Sequence, residues 1–312
     1  MINFLLFVMF LSETVTSEDT LPEFEFFKDR CDSGDSIEFL SNDDMTEIGM
    51  RKLESTSCGF FANNNMNLTR LNLPMLKNFY TSSPCQPSLK LLINGLTDKF
   101  CIRIEEATHF LASDFTRIES ISSPFCNLSE SDTSIFQDKI CEIKNFSLST
   151  SDTSCTRIFG NVVVKAGDEQ FVEKLKSVTW IYGELLIEGT NLVKVDFFDS
   201  LQYVSSFNVS AQKHLILIMD NPNLISVHFP SLKKITAFGE NYFVIQGNHP
   251  QLGKDYRNCM KIKNSLNSSV WDVPTIDGKS CKQILEVYGD NSVTNDKIGS
   301  VFIGIILWSF FF

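Results

Sequence analysis

The stretch Asn67-Leu68-Thr69-Arg70-Leu71-Asn72-Leu73-Pro74-Met75-Leu76-Lys77-Asn78-Phe79 sets a pattern, N-L-x-x-Φ-x-Φ-P-x-L-x-x-Φ, where Φ is apolar. The pattern returns at Asn223–Ile235 (NLISVHFPSLKKI). It returns again at Asn191–Val204 (NLVKVDFFDSLQYV), with one extra residue, Phe198, and no proline. No single copy of such a frame can bury its own apolar edge, so successive copies must stack into one continuous core. A stacked column of this kind is a scaffold with a large surface, and binding is its default use.

A second repeat lies inside the first. Ile158-Phe159-Gly160-Asn161-Val162-Val163-Val164 and Ile181-Tyr182-Gly183-Glu184-Leu185-Leu186-Ile187 both read I-x-G-x-Φ-x-Φ. Side chains alternate along a strand, so Ile158, Gly160, Val162 and Val164 are expected on one side. Parallel stacking at about 4.8 Å places Ile181 over Ile158 and Ile187 over Val164. The glycines leave room for a neighbouring backbone or a bend. Between the strands, Asp168–Val178 has acidic residues leading, lysines trailing, and Phe171, Leu175 and Val178 on one helical face, which predicts a short amphipathic helix capping the column. Leu215–Met219 and Phe243–Ile245 give further rungs, the first of them apolar throughout and expected to be buried on both faces. Upstream, the frame at Asn67–Phe79 and a rung at Leu89–Ile93 suggest a diverged first copy.

The cysteines fit a duplication. Cys259 and Cys281 lie just beyond the second copy, and Cys101 and Cys126 just beyond the first, so Cys259–Cys281 and Cys101–Cys126 are expected as equivalent pairs. Cys141–Cys155 then staples the start of the second copy. Closing loops of this size stabilises by about 3 kcal/mol on the entropy account. Cys31, Cys58 and Cys85 remain, and with nine cysteines in the chain one of them stays unpaired or bridges to another chain.

Disulfides persist in the secretory route. Five N-x-S/T sequons agree with it: Asn67, Asn127, Asn145, Asn208 and Asn267. So do the ends. Residues 1–17 read as a signal peptide, with the apolar run Phe4–Leu11 and small residues at Val15 and Ser17. Residues 298–312 (IGSVFIGIILWSFFF) carry no charge and follow a polar spacer, the arrangement of a glycolipid-anchor signal with attachment at Asp290, Asn291 or Ser292. A short membrane-spanning segment is the alternative. The net charge of -11 argues against nucleic acid or an anionic membrane as partner.

With these residues in view, Cys155–Cys281 resembles a receptor L domain, the ligand-binding module of insulin and epidermal growth factor receptors. The resemblance rests on the two I-x-G-x-Φ-x-Φ strands, the intervening helix, Gly189-Thr190-Asn191-Leu192, and Asn223-Leu224 through Leu232-Lys233-Lys234-Ile235. The whole chain resembles the small secreted or anchored L-domain proteins of nematodes. It lacks a cysteine-rich module between the halves and a kinase domain, so autonomous signalling is not implied. The fold implied is mainly β with short helices, a right-handed single-coil β-helix in two copies, the first degenerate. The expected organisation is signal peptide 1–17, degenerate first L domain 18–126, linker 127–154, second L domain 155–281, polar spacer 282–297 and hydrophobic tail 298–312.

Candidate chemistry is sparse. The frame asparagines Asn67, Asn191 and Asn223 read as turn residues that bond open backbone groups. An inward Asn67 would carry little glycan and Asn208 much. Asp196, Asp199 and Asp220 are the carboxylates a β-helix carbohydrate enzyme could use; as turn residues they are expected to be solvated. Glu105-Glu106 marks a helix start. His109, His214, His228 and His249 lack metal-ligand spacing. No catalytic residue, metal site or cofactor is expected. The candidate binding face is the outward side of the two strands, with Phe159, Val163, Tyr182 and Leu186 as anchors, unless the first half covers it. The expected function is non-catalytic: a cell-surface glycoprotein that binds an extracellular growth-factor-type ligand or receptor ectodomain as a modulator or decoy. A matrix or adhesion scaffold and a β-helix carbohydrate-active enzyme are the alternatives. Oligomeric state is not legible.

Overall fold

The computed structural model describes residues 36–80, 89–94, 98–121, 123–129, 134–136, 138–143, 147–207, 214–237, 242–266 and 273–289. The expected signal peptide, the attachment residues Asp290, Asn291 and Ser292, the tail 298–312, and the sequons at Asn145, Asn208 and Asn267 lie outside them. Among the described residues no helix is long and apolar enough to cross a membrane.

The first half runs β1 (Ser36–Leu40), β2 (Ser55–Thr56), β3 (Gly59–Asn63), β4 (Asn78–Phe79), β5 (Leu89–Asn94), helix α1 (Ile104–Ala112) and β6 (Thr116–Ile121). The second runs β7 (Ile140–Glu142), β8 (Arg157–Phe159), β9 (Val162–Lys165), β10 (Trp180–Tyr182), β11 (Leu185–Glu188), β12 (Lys194–Val195), β13 (Tyr203–Ser206), β14 (Ile216–Met219), β15 (Ser226–Val227), β16 (Lys234–Ala237) and β17 (Phe243–Gln246). Helix α2 (Tyr256–Ser265), β18 (Thr275–Ile276), β19 (Lys279–Ser280) and helix α3 (Cys281–Tyr288) close the described chain. The protein is therefore mainly β with a few short helices.

Its sheets are open and almost wholly parallel. The first half forms a four-stranded sheet, in the order β1-β3-β5-β6, and a short β2-β4 pair. The second forms two larger ones, β16-β13-β10-β8-β7 and β19-β18-β17-β14-β11-β9, and a short β12-β15 pair; only β18–β19 pairs antiparallel among the described strands. The register matches the alternating apolar pattern. Ile181 pairs with Ile158 and Val204, and Ile187 pairs with Val164 and Ile218. Every one of these side chains is buried, so each rung places an aliphatic group directly over the last.

The frame obeys the same rule. Leu68, Leu71, Leu73, Leu76 and Phe79 are buried, as are Leu224, Val227, Phe229, Leu232 and Ile235. In the middle frame the extra residue does not loop out: Phe198 is itself fully buried, stacked on Phe229 at 5.5 Å between ring centres. Leu217 and Met219 are half-buried while Ile216 and Ile218 are buried, so the all-apolar strand β14 has one face in the core and not two.

The cap at 169–175 is a 3-10 helix, Glu169–Leu175, and not an α-helix. Its buried residues explain why. Val172, Leu175 and Val178 are buried at a spacing of three, and a 3-10 helix aligns positions i and i+3 on one edge. The expected Phe171 sits half-exposed at the rim of the core.

The stretch expected as a linker contributes to the second half. Strand β7 pairs with β8, and Leu148 is fully buried in the second core. The Cys141–Cys155 disulfide joins that stretch to the start of β8. Cys101–Cys126 and Cys259–Cys281 are the other two described bridges, with Cα atoms 4.9 and 5.5 Å apart. Cys58 is also disulfide-bonded.

Candidate binding surface

The geometry of the surface is set by two glycines. Gly160 and Gly183 each separate a strand of one sheet from a strand of the other, β8 from β9 and β10 from β11. At Gly160, with φ of 127°, a Cβ would lie 2.5 Å from the Ile143 carbonyl oxygen. At Gly183 it would press into the Gly160 carbonyl. The backbones of successive rungs touch at this corner, so only glycine fits.

This corner corrects the sequence reading of a single flat strand and a single flat face. Phe159 and Tyr182 lie on the β16-β13-β10-β8-β7 sheet, whereas Val163 and Leu186 lie on the β17-β14-β11-β9 ladder. The four residues are divided between two sheets that turn away from each other.

The first of these faces is occupied. Trp180, Tyr182, Tyr203 and Phe207 belong to the same buried cluster as the first-half residues Phe60, Leu91, Phe100 and Phe110. Phe125 packs edge-on against Tyr182 and Phe159, with centroid distances of 5.6 and 6.2 Å, and against Phe207 at 4.8 Å. Trp180 stacks on Tyr203 at 3.9 Å. Polar groups close the seam. The Tyr182 hydroxyl lies 2.6 Å from Thr108 Oγ1 and accepts from Arg157 at 2.9 Å. The Arg157 guanidinium lies over the Phe136 and Trp180 rings at 4.5 and 4.9 Å, a favourable cation–π placement. Lys234 donates to the Ser113 and Thr116 carbonyls, and burial lowers its pKa to about 8. Burial likewise raises the pKa of Tyr182. Tyr182 is 2% exposed and offers nothing to a partner; Phe159 is half-buried beneath Phe125.

The second face is open. Val163 pairs with Leu186, Leu186 with Leu217, and Leu217 with Val244. The sequence reading named only the first two of this row. Val163, Leu186 and Leu217 are half-exposed, and Val244 is buried. The three half-exposed residues, on strands at ~4.8 Å spacing, make an apolar stripe about 10 Å wide. The next row, Lys165, Glu188, Met219 and Gln246, mixes charge with a flexible thioether, and Glu184 flanks the stripe on the other side. Leu217 was missed because the pattern shows which residues alternate outward, not which of two sheets stays uncovered.

The asparagine reading also shifts. Asn67, Asn191 and Asn223 are exposed; the expected inward placement of Asn67 is wrong. Its Nδ2 donates to the Asp43 carbonyl at 2.6 Å at the surface. Asn127, the other described sequon, is exposed too. Buried instead are Asn65 and Asn221, each three residues before a frame leucine. Asn221 Oδ1 accepts from Thr190 N and Oγ1 at 2.8 and 2.7 Å. Its Nδ2 donates to Ile187 O, Met219 O and Asn248 Oδ1. Asn248 repeats the gesture toward Ile218 O and Gln246 O. Asn65 does so toward Phe39 O. These amides satisfy backbone groups at the turns, where the ladder leaves them open. The signal available in the sequence was the recurrence of Asn at that offset from the leucine.

Asp196 and Asp199 are exposed beside the buried pair Phe197 and Phe198, and Asp220 is exposed with φ of 55°. Among the described residues no group of three His, Cys, Asp or Glu is placed to hold a metal. His228 contacts Ser226, and His249 accepts from its neighbour Gln251.

A family model described as Receptor L domain matches residues 154–265. Over these residues the chain is similar to a receptor L domain. Receptor L domains are ligand-binding, non-enzymatic modules. The matched L domain contains both glycine corners, two of the three frames, and strands β9, β11, β14 and β17 of the open face. No curated protein matches the chain.

Proposed function

We propose that the protein is a disulfide-bonded extracellular binding protein whose L domain presents the Val163–Leu186–Leu217 stripe to a protein ligand. The stripe is the observation that carries the reading: an apolar row on a rigid parallel sheet, with its sister face already covered by the first half. Apolar patches rimmed by polar groups mark protein partners on soluble surfaces. The partner class we infer is a growth-factor-type ligand or a receptor ectodomain, held without chemistry, so that the protein acts as a modulator or decoy. Three paired bridges among the described cysteines support an oxidising compartment, and the uncharged run 298–312 supports a lipid or membrane tether at the cell surface. The parallel registers, the recurrence of Asn65 and Asn221, and the two disulfides beyond the frames support a β-helical coil in two copies.

The test is a pairwise screen of the protein against soluble growth factors and receptor ectodomains. The hit is then repeated with Leu186→Asp and Leu217→Asp. Each is expected to weaken binding at least tenfold without changing the disulfide map. Wild-type affinity in both variants would move the binding site elsewhere.

A further inference from the structure

The first half carries a cleft of about 420 Å³ whose lining shares no residue with the open stripe. Glu47, Arg70, Asn72 and Arg103 line it from half-buried positions, and Asn127 and Ser129 from exposed ones. Its size is that of a small-molecule pocket. Four passes of the chain build it, and each is pinned to the next. Glu47 bridges to Arg70. Arg70 Nη1 donates to the Thr69 and Lys99 carbonyls at 2.6 and 3.4 Å. Ile102, beside Arg103, bridges to Phe125, and Cys126 N donates to Ile102 O at 2.9 Å. The Cys101–Cys126 disulfide closes the last pair. Asn127 therefore leaves the fold from a fixed point at the cleft.

The lining carries both signs of charge. Arg70 and Arg103 bring guanidinium donors to it. Glu47 accepts from Asn72 Nδ2 and from Arg51 Nη2, each at 2.8 Å, and a carboxylate has lone pairs to spare beyond two such bonds. An anionic ligand would meet Glu47 and a cationic one the two arginines, and like charges brought together are disfavoured. A neutral ligand rich in hydroxyl and amide groups suits donors and acceptor at once. The sequence puts such a ligand within reach. Asn127-Leu128-Ser129 is a sequon, and its acceptor asparagine and its serine both line the cleft. N-acetylglucosamine attached at Asn127 is uncharged, carries hydroxyls and an acetamide, and meets the walls without a separate encounter, because a tethered group binds at high effective concentration.

We infer that Asn127 carries an N-linked glycan whose first N-acetylglucosamine units fold into this cleft, bonded to Arg70, Arg103 and Glu47, and so close it to other ligands. The inference rests on the extracellular reading, since this sugar is added on the secretory route.

Glycopeptide mapping, together with arginine labelling by a dicarbonyl reagent, tests it in the full chain purified from animal cells. Ser129→Ala abolishes the sequon and Ser129→Thr keeps it. Labelling of Arg70 and Arg103 is expected to rise at least threefold in the Ala variant and to stay at the wild-type level in the Thr variant. Asn127→Gln, a second route to the bare site, is expected to match Ser129→Ala. Arg51, whose side chain is 66% exposed, is the reference for general access, and Arg157, at 12%, reports any unfolding; both should be unchanged. Sugar on Asn127 with equal labelling of Arg70 and Arg103 in all four proteins overturns the seated glycan. Sugar at other sequons with Asn127 bare overturns the inference and leaves the extracellular reading standing. A chain that stays in the cytosol overturns both.

Discussion

Tyr182 and Thr108, one in each half of the chain, share a buried hydrogen bond of 2.6 Å between their hydroxyl groups. The contact sits at the centre of an aromatic seam and explains why one outward sheet face is unavailable to partners. Tyr182→Phe keeps the ring against Phe125 but leaves Thr108 and Arg157 without their common partner. The expected loss is about 1 kcal/mol by chemical denaturation. Tyr182→Ala should cost about 3–5 kcal/mol by opening a cavity between the halves. A Phe variant as stable as wild type would mean that water replaces the hydroxyl there.

Asn221 and Asn223 stand two residues apart and should behave oppositely. Asn221→Ala strands the Thr190 N–H and several carbonyls in the core, for a loss of roughly 3 kcal/mol. Asn223→Ala removes an exposed side chain and should stay within about 0.5 kcal/mol of wild type. Thermal melts of the two variants decide it; equal losses would undo the assignment of the buried amide.

Glycine substitutions should separate crowding from backbone conformation. Gly183→Ala meets the Gly160 carbonyl on the rung below and is expected to destabilise by about 3 kcal/mol, the upper range of overpacking. Gly189→Ala, by contrast, sits at a left-handed φ of 65° that a side chain rarely adopts, yet nothing lies within 4 Å. Its loss should be near 1 kcal/mol. Reversal of that order would place the crowded corner elsewhere.

Much of this was legible because a stacked parallel sheet repeats its demands. The frame leucines, the register of Ile181 on Ile158, and the glycine positions all follow from one rung sitting on another. Three things were not legible. The turn at Gly160 sends Val163 to a different sheet from Phe159, and alternation alone has no marker for a corner. The burial of Trp180 and Tyr182 depends on Phe125 and Thr108, which are distant in sequence and carry no pattern that points to them. The 3-10 form of Glu169–Leu175 emerges only once Val172 is seen to be buried, since Phe171 fits an α-helical stripe equally well.

Glu106 predicts a pH dependence. Its carboxylate is 3% exposed and accepts from Leu73 N at 2.7 Å and Arg103 N at 3.4 Å. Burial raises its pKa above the usual value, more than these bonds lower it. The folded state thus holds a proton that the unfolded chain has released, so this group's contribution falls as pH rises from about 4.5 through the folded pKa. Glu106→Gln retains an acceptor for Leu73 without the buried charge, and should flatten the stability profile over that window. Glu106→Leu should instead lose about 1–3 kcal/mol by orphaning the Leu73 N–H. Parallel pH profiles for wild type and the Gln variant would show that the carboxylate does not titrate there.

The amide of Asn221 grips Ile187 in the turn before it and Asn248 in the turn after it. Excising one rung would leave such an amide facing empty space on one side, so loss of a rung costs this sheet more than a change of length in the loops between rungs.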